Sequence, residues 1–291
     1  MKHSLILSLA LLVAAPVALR ADETTEPVKG DAPKTVKTSD GRELSLVWQD
    51  EFNGEGLPDP TKWSYEVGYV RNNEAQYYTD ARVENIFQKD GALTIKTIKE
   101  KYSIEGKPAN KGQKEAEYTS AAIETLGKAS WQYGRVEVRA QLPSGKGIWP
   151  AIWMMGDNIR QVGWPGCGEI DIMEYVGHTP KTSHGTIHMR KKGGERWQVV
   201  SKGKSVVFED LEKRYYVYSL EWTPEKLLIF VDDALVLDFE KSEEEPKTTA
   251  WPFDQKCYLI LNTAIGGAWG GEIADDTCPA EFKIDYVRVY Q

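Results

Sequence analysis

The sequence predicts an all-β sandwich. Three observations carry that prediction: short runs in which apolar and polar residues alternate, a scarcity of amphipathic helical patterns between them, and a stretch of about 250 residues able to bury one large core. Alternation with a period of two is what a strand with one buried face requires, because successive side chains point to opposite sides. Residues 135–142 show it plainly. Val136, Val138, Ala140 and Leu142 fall on one face, and Arg135, Glu137, Arg139 and Gln141 on the other. Residues 227–231, the polar pair Asp232-Asp233, and residues 234–237 read as a hairpin. Residues 92–97 and 258–263 are further strands.

The chain begins with Lys2, an apolar run over residues 5–17, and the small residue Ala21. A basic tip, a short apolar core and a small residue read as a secretory signal peptide, residues 1–21, which places the mature protein outside the cytoplasm, secreted or periplasmic. The apolar run is too short for a comfortable membrane span. No Cys follows it, which argues against a lipid anchor. Residues 22–40 are rich in Thr, Lys, Glu, Pro and Asp and read as a flexible leader. Residues 41–291 show no internal repeat and no second linker, so one domain is expected.

The full chain carries a formal charge of −8. Loss of residues 1–21 removes Lys2 and Arg20 and no acid, leaving the mature chain more acidic still. Nucleic acid and anionic membranes are therefore poor partners, whereas a neutral polymer is indifferent to the charge. A monomer is expected. Three cysteines, Cys167, Cys257 and Cys278, cannot all pair within one chain, so at least one thiol is left over even in an oxidising compartment. No Cys/His spacing resembles a zinc site.

The chemistry is concentrated in residues 166–175, Gly-Cys-Gly-Glu-Ile-Asp-Ile-Met-Glu-Tyr. Glu169 and Asp171 share one strand face, while Ile170 and Ile172 point into a core. Glu174 stands an odd number of residues from Asp171, which in a regular strand would bury an unpaired carboxylate at high cost. A β-bulge near Met173 absorbs the extra residue and returns Glu174 to the face of the other two acids. Like charges in a row make poor scaffolding. They suit glycoside hydrolysis, in which one carboxylate attacks and a second carboxylic acid protonates the leaving oxygen.

The run Glu-Ile-Asp-Ile-Met-Glu resembles the active-site signature of glycoside hydrolase family 16, in the version with an extra residue before the last Glu. Residues 133–140 (YGRVEVRA), 147–156 (GIWPAIWMMG), 48–52 (WQDEF), 72–79 (NNEAQYYT) and 285–290 (DYVRVY) resemble the laminarinases of that family. The resemblance runs from about Leu46 to the C-terminus, in several separated motifs in order. It implies a β-jelly roll of two antiparallel sheets with a concave, substrate-binding face. It also implies a retaining endo-β-1,3-glucanase, with Glu169 as nucleophile, Glu174 as general acid/base and Asp171 between them. Trp149 and Trp153 are expected to meet sugar, since indole faces pack on the C–H faces of sugar rings. His188, Asn73 and Trp269 are expected in the same cleft, with Asn72 beside Asn73 and Trp269 on a mobile Gly-rich loop. The resemblance further implies a structural calcium ion held by Glu51, a backbone carbonyl near Gly91, and Asp285; hard oxygen ligands suit it. No cofactor is expected for catalysis. The competing readings are a mixed-linkage β-glucanase, an algal galactanase, and a non-catalytic β-glucan-binding protein. All three acids are present, which weighs against the last.

Overall fold

The computed structural model describes residues 25–28, 30–193, 196–241 and 251–291, so the expected signal peptide lies outside the described residues. In chain order the first strands are β1 (Thr35–Lys37), β2 (Glu43–Asp50), β3 (Ser64–Glu66), β4 (Gln76–Tyr78), β5 (Ile86–Lys89) and β6 (Ala92–Ser103). They are followed by β7 (Glu115–Ser120), β8 (Ala122–Glu124), β9 (Gly134–Gln141), β10 (Ile148–Gly156), β11 (Glu169–Glu174) and β12 (Thr182–Gly193). The last are β13 (Arg196–Val207), β14 (Tyr216–Trp222), β15 (Lys226–Val231), β16 (Ala234–Glu240), β17 (Cys257–Ile265) and β18 (Ala280–Tyr290). Two single-turn helices, α1 (Ile159–Val162) and α2 (Gly267–Gly270), sit in loops.

These strands form two sheets. One has seven strands in the order β13-β12-β11-β10-β17-β8-β3. The other has eleven, built on the path β16-β15-β14-β9-β18-β6-β7-β4, with β1, β2 and β5 attached at its margins. Pairing is antiparallel except between β4 and β7, which run parallel. The core lies between the sheets. Ile152, Met154, Ile170, Ile172, Met173, Ile187, Leu259 and Leu261 come from the seven-stranded sheet. Val136, Val138, Ala140, Tyr218, Leu220, Ile229, Phe282, Ile284 and Val287 face them from the other. The apolar face expected in residues 135–142 is this face of β9, fully buried as its alternation requires. The other face of β9 is also covered, because Arg135, Glu137 and Arg139 are engaged in ion pairs.

Part of the expected leader is not free. Residues 35–37 form β1 and pair with residues 43–45 of β2. Ser39 donates its backbone N–H to the carboxylate of Glu221, and the Val28 N–H is within 3.1 Å of both oxygens of Asp285. A composition poor in apolar groups conceals such attachment, because it rests on backbone donors that every residue carries. Among the described residues no helix is long and apolar enough to cross a membrane. All three cysteines are thiols, with Cys167 and Cys257 buried.

Candidate active site

The acid row is positioned by the pairing of β11 with its two neighbours. On the β12 side, Glu169 stands opposite His188, Asp171 opposite Thr186 and Glu174 opposite His184. Three steps along β11 from Asp171 to Glu174 thus match two steps along β12. On the β10 side, Trp153 opposes Asp171 and Ile152 opposes Met173, so Ile172 is the residue without a partner. This is the expected bulge. Ile172 and Met173 both enter the core, and Glu174 rejoins Glu169 and Asp171 on the outer face of the sheet. Gly168 delivers the chain to this strand at φ 77°, and a Cβ there would sit 2.8 Å from Pro252, so the turn calls for glycine.

The three acids differ in environment. Burial first, and the neighbouring Asp171 second, raise Glu174 well above the usual carboxylate range. Its Oε1 accepts the Trp149 indole N–H at 3.1 Å. Asp171 is also raised, again by burial first and then by Glu169, toward which a protonated Asp171 donates. Glu169 accepts the Trp164 indole N–H at 2.5 Å. His188 Nε2 lies 3.2 Å from Asp171 and 3.8 Å from Glu169, while its Nδ1 is fixed by the Ser201 hydroxyl at 2.7 Å. The arrangement sets a buried acid, raised above the usual carboxylate range, on the same face as a carboxyl group that accepts an indole N–H, which suits acid-assisted displacement.

The row lines a cleft of about 450 Å³. Trp149, Trp153, His188 and Trp269 line it with the acids. Pro150 is tolerated in a central strand because β11 ends at Glu174. The donor it lacks falls beyond that end, where its own carbonyl accepts from Tyr175. Trp153 is only 5% exposed and does not offer an open ring. The Arg71 guanidinium lies 4.8 Å from its ring centroid, and its indole N–H is held by Asn262 at 2.7 Å. Trp269 is not on a loose loop but in α2, edge-on to Trp149 at 5.5 Å and to His184 at 5.1 Å. Gly267 permits this turn at φ 73°, where a Cβ would crowd Asn72 and Glu74.

Asn73 is placed elsewhere. It lines a separate shallow groove with Tyr69, Lys111 and Gln113, while its neighbour Asn72 faces the cleft and donates to Glu74 at 3.3 Å. Both residues stand at positive φ, 51° and 52°, so the turn directs adjacent side chains apart. Trp164, Arg71, Glu74 and Asn262 are cleft residues that the sequence reading did not single out. Trp164 and Arg71 lie in loops, where no periodicity marks them. Asn262 carried a usable signal: with Thr263 it interrupts the apolar run of its strand, between Leu261 and Ala264.

Of the expected calcium ligands, the carboxylates of Glu51 and Asp285 are held within the chain. Glu51 is bound by Arg288 through two hydrogen bonds of 2.9 and 2.8 Å. Asp285 is bound by Arg139 at 2.5 Å and by the Val28 N–H. Each carboxylate is thus neutralised by its own guanidinium, in a geometry that leaves its lone pairs engaged. Among the described residues, the acidic and imidazole groups that do converge are Glu169, Asp171 and His188, with ligand atoms within 4.8 Å of one another. They belong to the acid row.

A family model described as Glycosyl hydrolases family 16 matches residues 73–288. A relative described as "Beta-glucanase" from Rhodothermus marinus is 46% identical over 255 residues, covering 84% of this chain and 85% of its own length. A "Glucan endo-1,3-beta-glucosidase" from Cryptopygus antarcticus is 36% identical, covering 84% of this chain and 90% of its own. The solved structure of the laminarinase from Rhodothermus marinus superposes with a TM-score of 0.75 at 45% identity, covering 85% of this chain and 97% of that one.

Proposed function

The chain belongs to glycosyl hydrolases family 16, and from that premise we propose that it is a retaining endo-hydrolase of internal β-1,3-glucosidic bonds in laminarin-type β-glucans. The observation that carries the reading is the acid row. A proton-holding Glu174 and a hydrogen-bonded Glu169 stand on one face, with Asp171 between them. In the first step the Glu169 carboxylate attacks the anomeric carbon, the glycosidic C–O bond breaks, and the Glu174 proton passes to the departing oxygen. In the second, Glu174 takes a proton from water, the hydroxide adds to the anomeric carbon, and Glu169 is released. Asp171 neither attacks nor protonates the substrate. Its hydrogen bond to Glu169 positions the nucleophile. This route draws only on carboxyl chemistry.

The relatives named above support the β-1,3 linkage. Export to where such a polymer is met is supported by the character of residues 1–21, and action as a monomer by an acidic, self-repelling surface. The test is initial rates on laminarin, mixed-linkage β-glucan, cellulose, agarose and carrageenan at matched mass, with product size and anomer followed by NMR. Fastest cleavage of laminarin into mixed oligosaccharides with β-anomers first is expected. A higher rate on agarose or carrageenan overturns the linkage. Glucose alone from the outset overturns endo-action, and affinity without turnover assigns a binding protein.

A further inference from the structure

The cleft-bearing sheet extends one strand beyond β12. Along β13, Ser201 stands opposite His188, Val199 opposite Arg190 and Trp197 opposite Lys192. Directly paired residues share a face of a sheet. Ser201, Val199 and Trp197 therefore lie on the face of the acid row, while Val200 and Val206 pack against the core behind them. Trp197 is 53% exposed and Val199 48%. A large indole so exposed contributes little to folding.

Trp197 is nonetheless held. The Arg190 guanidinium lies 4.5 Å from its ring centroid. The same guanidinium backs onto Gly166, where a Cβ would stand 2.8 Å from Arg190 Nη1. Gly166 follows Trp164, which is 49% exposed, donates to Glu169 and leans on His188 at 6.1 Å. Arg190 Nε is buried without a hydrogen-bond partner. A strip thus runs from the Glu169 end of the cleft through Trp164, the backbone of Gly166 and Arg190 to Trp197. Trp197 is four residues beyond Ser201, about 13 Å along the strand.

We propose that Trp197 and Arg190 form a remote binding site for a glucosyl unit of the polymer that extends past the Glu169 end of the cleft. The site rests on the β-glucan reading above and adds a preference for long chains. Its chemistry suits a neutral sugar: the indole face packs on ring C–H groups, and the guanidinium offers directed donors to hydroxyls. Continuity with the cleft, on one face of the sheet and alongside the Trp164–Gly166 segment, argues for a further unit of the same chain as occupant.

The test compares wild type and Trp197→Ala, as full chains, on polymeric laminarin and on the shortest laminari-oligosaccharide the wild type cleaves. For the polymer, KM is expected to rise about fivefold with kcat within about twofold, while oligosaccharide kinetics stay unchanged. Trp197→Phe should recover most of the polymer KM. Equal losses on both substrates, or no change on either, overturn the site. A wild type that leaves laminarin intact overturns the substrate reading, and the ligand named here with it. Turnover without any dependence on length overturns this site alone. Sedimentation of both proteins covers the remaining occupant, since a dimer dissolved by Trp197→Ala assigns the surface to a second copy of the chain.

Discussion

Burial raises Glu174 above the usual carboxylate range, and the Trp149 indole N–H fixes one of its oxygens at the cleft. Glu174→Ala is expected to lower kcat on laminarin by about 10²–10⁴-fold. The loss should be much smaller on an aryl glycoside whose leaving group needs little protonation. Added azide should restore turnover of that substrate and give the β-glycosyl azide; an α-product rejects the assignment of Glu169 as nucleophile. Asp171→Asn keeps the shape and removes the titration. It is expected to lower kcat and shift the pH profile, and an unmoved profile would leave Asp171 as scaffolding only. A third carboxyl group titrates away from the row. Burial, and then Glu66, push Glu124 up to about 7 from an ordinary 4.5. Between those values the folded chain keeps a proton that the unfolded chain releases, so stability falls as pH rises through that window. Glu124→Gln removes the effect. The variant should exceed wild type by about 1 kcal/mol at pH 8, after discounting for partial exposure, and by nothing at pH 4. Urea midpoints at the two pH values check it, and an equal difference at both would show that the group does not titrate there.

Strand β11 works as an element because it is irregular. With the extra residue at Ile172–Met173 held in a regular strand and not in a bulge, Glu174 would point between the sheets among Ile170, Ile187 and Leu261. Deletion of Met173 removes the surplus residue, so the last acid falls two positions after Asp171 and stays on the outer face of a regular strand; turnover is expected to survive at a reduced rate, with a lower thermal midpoint from the lost core side chain. Complete loss of activity in a folded variant would mean that the bulge itself, and not the shared face alone, sets the row. The bulge was legible in the sequence for a physical reason: a regular strand would have carried an unpaired acid into the core. The faces of β9 and the β15–β16 hairpin were legible through the same period-two rule. What escaped was non-local. The cover of Trp153 by Arg71 brings together residues from a loop and a distant strand, and no local pattern encodes it. Trp164 escaped because a Trp before a Pro in a loop carries no periodicity. The separation of Asn72 from Asn73 depends on the positive φ of the turn, which the Asn-Asn pair permits but does not specify.

At the scale of the molecule, the two sheets divide the labour. The seven-stranded sheet carries the cleft. The outer face of the other carries buried ion pairs, Arg135 with Glu137 and Glu221, Arg139 with Asp285, and Arg288 with Glu51. Such pairs are costly to break singly, because each broken pair leaves a desolvated charge. The N-terminal segment completes them. The Ser39 N–H and hydroxyl reach Glu221, the Val28 N–H reaches Asp285, and the carbonyl of Glu26 accepts from Arg139. Read as composition, residues 22–40 look dispensable, yet they supply backbone donors to two buried acids and a strand to the sheet edge. A chain beginning after Asp40 is therefore expected to lose about 1–3 kcal/mol of stability, the sum of a few backbone hydrogen bonds and their charge-assisted partners. Its kcat and KM on laminarin should stay within about twofold of the full chain at temperatures where both are folded, because none of the segment's described residues lines the cleft. Denaturant midpoints and steady-state kinetics on the same preparations test both halves. An unchanged midpoint would show that the segment only rests on the sheet, and a fall in kcat with the folded fraction intact would mean that the sheets transmit strain from the convex side to the acid row.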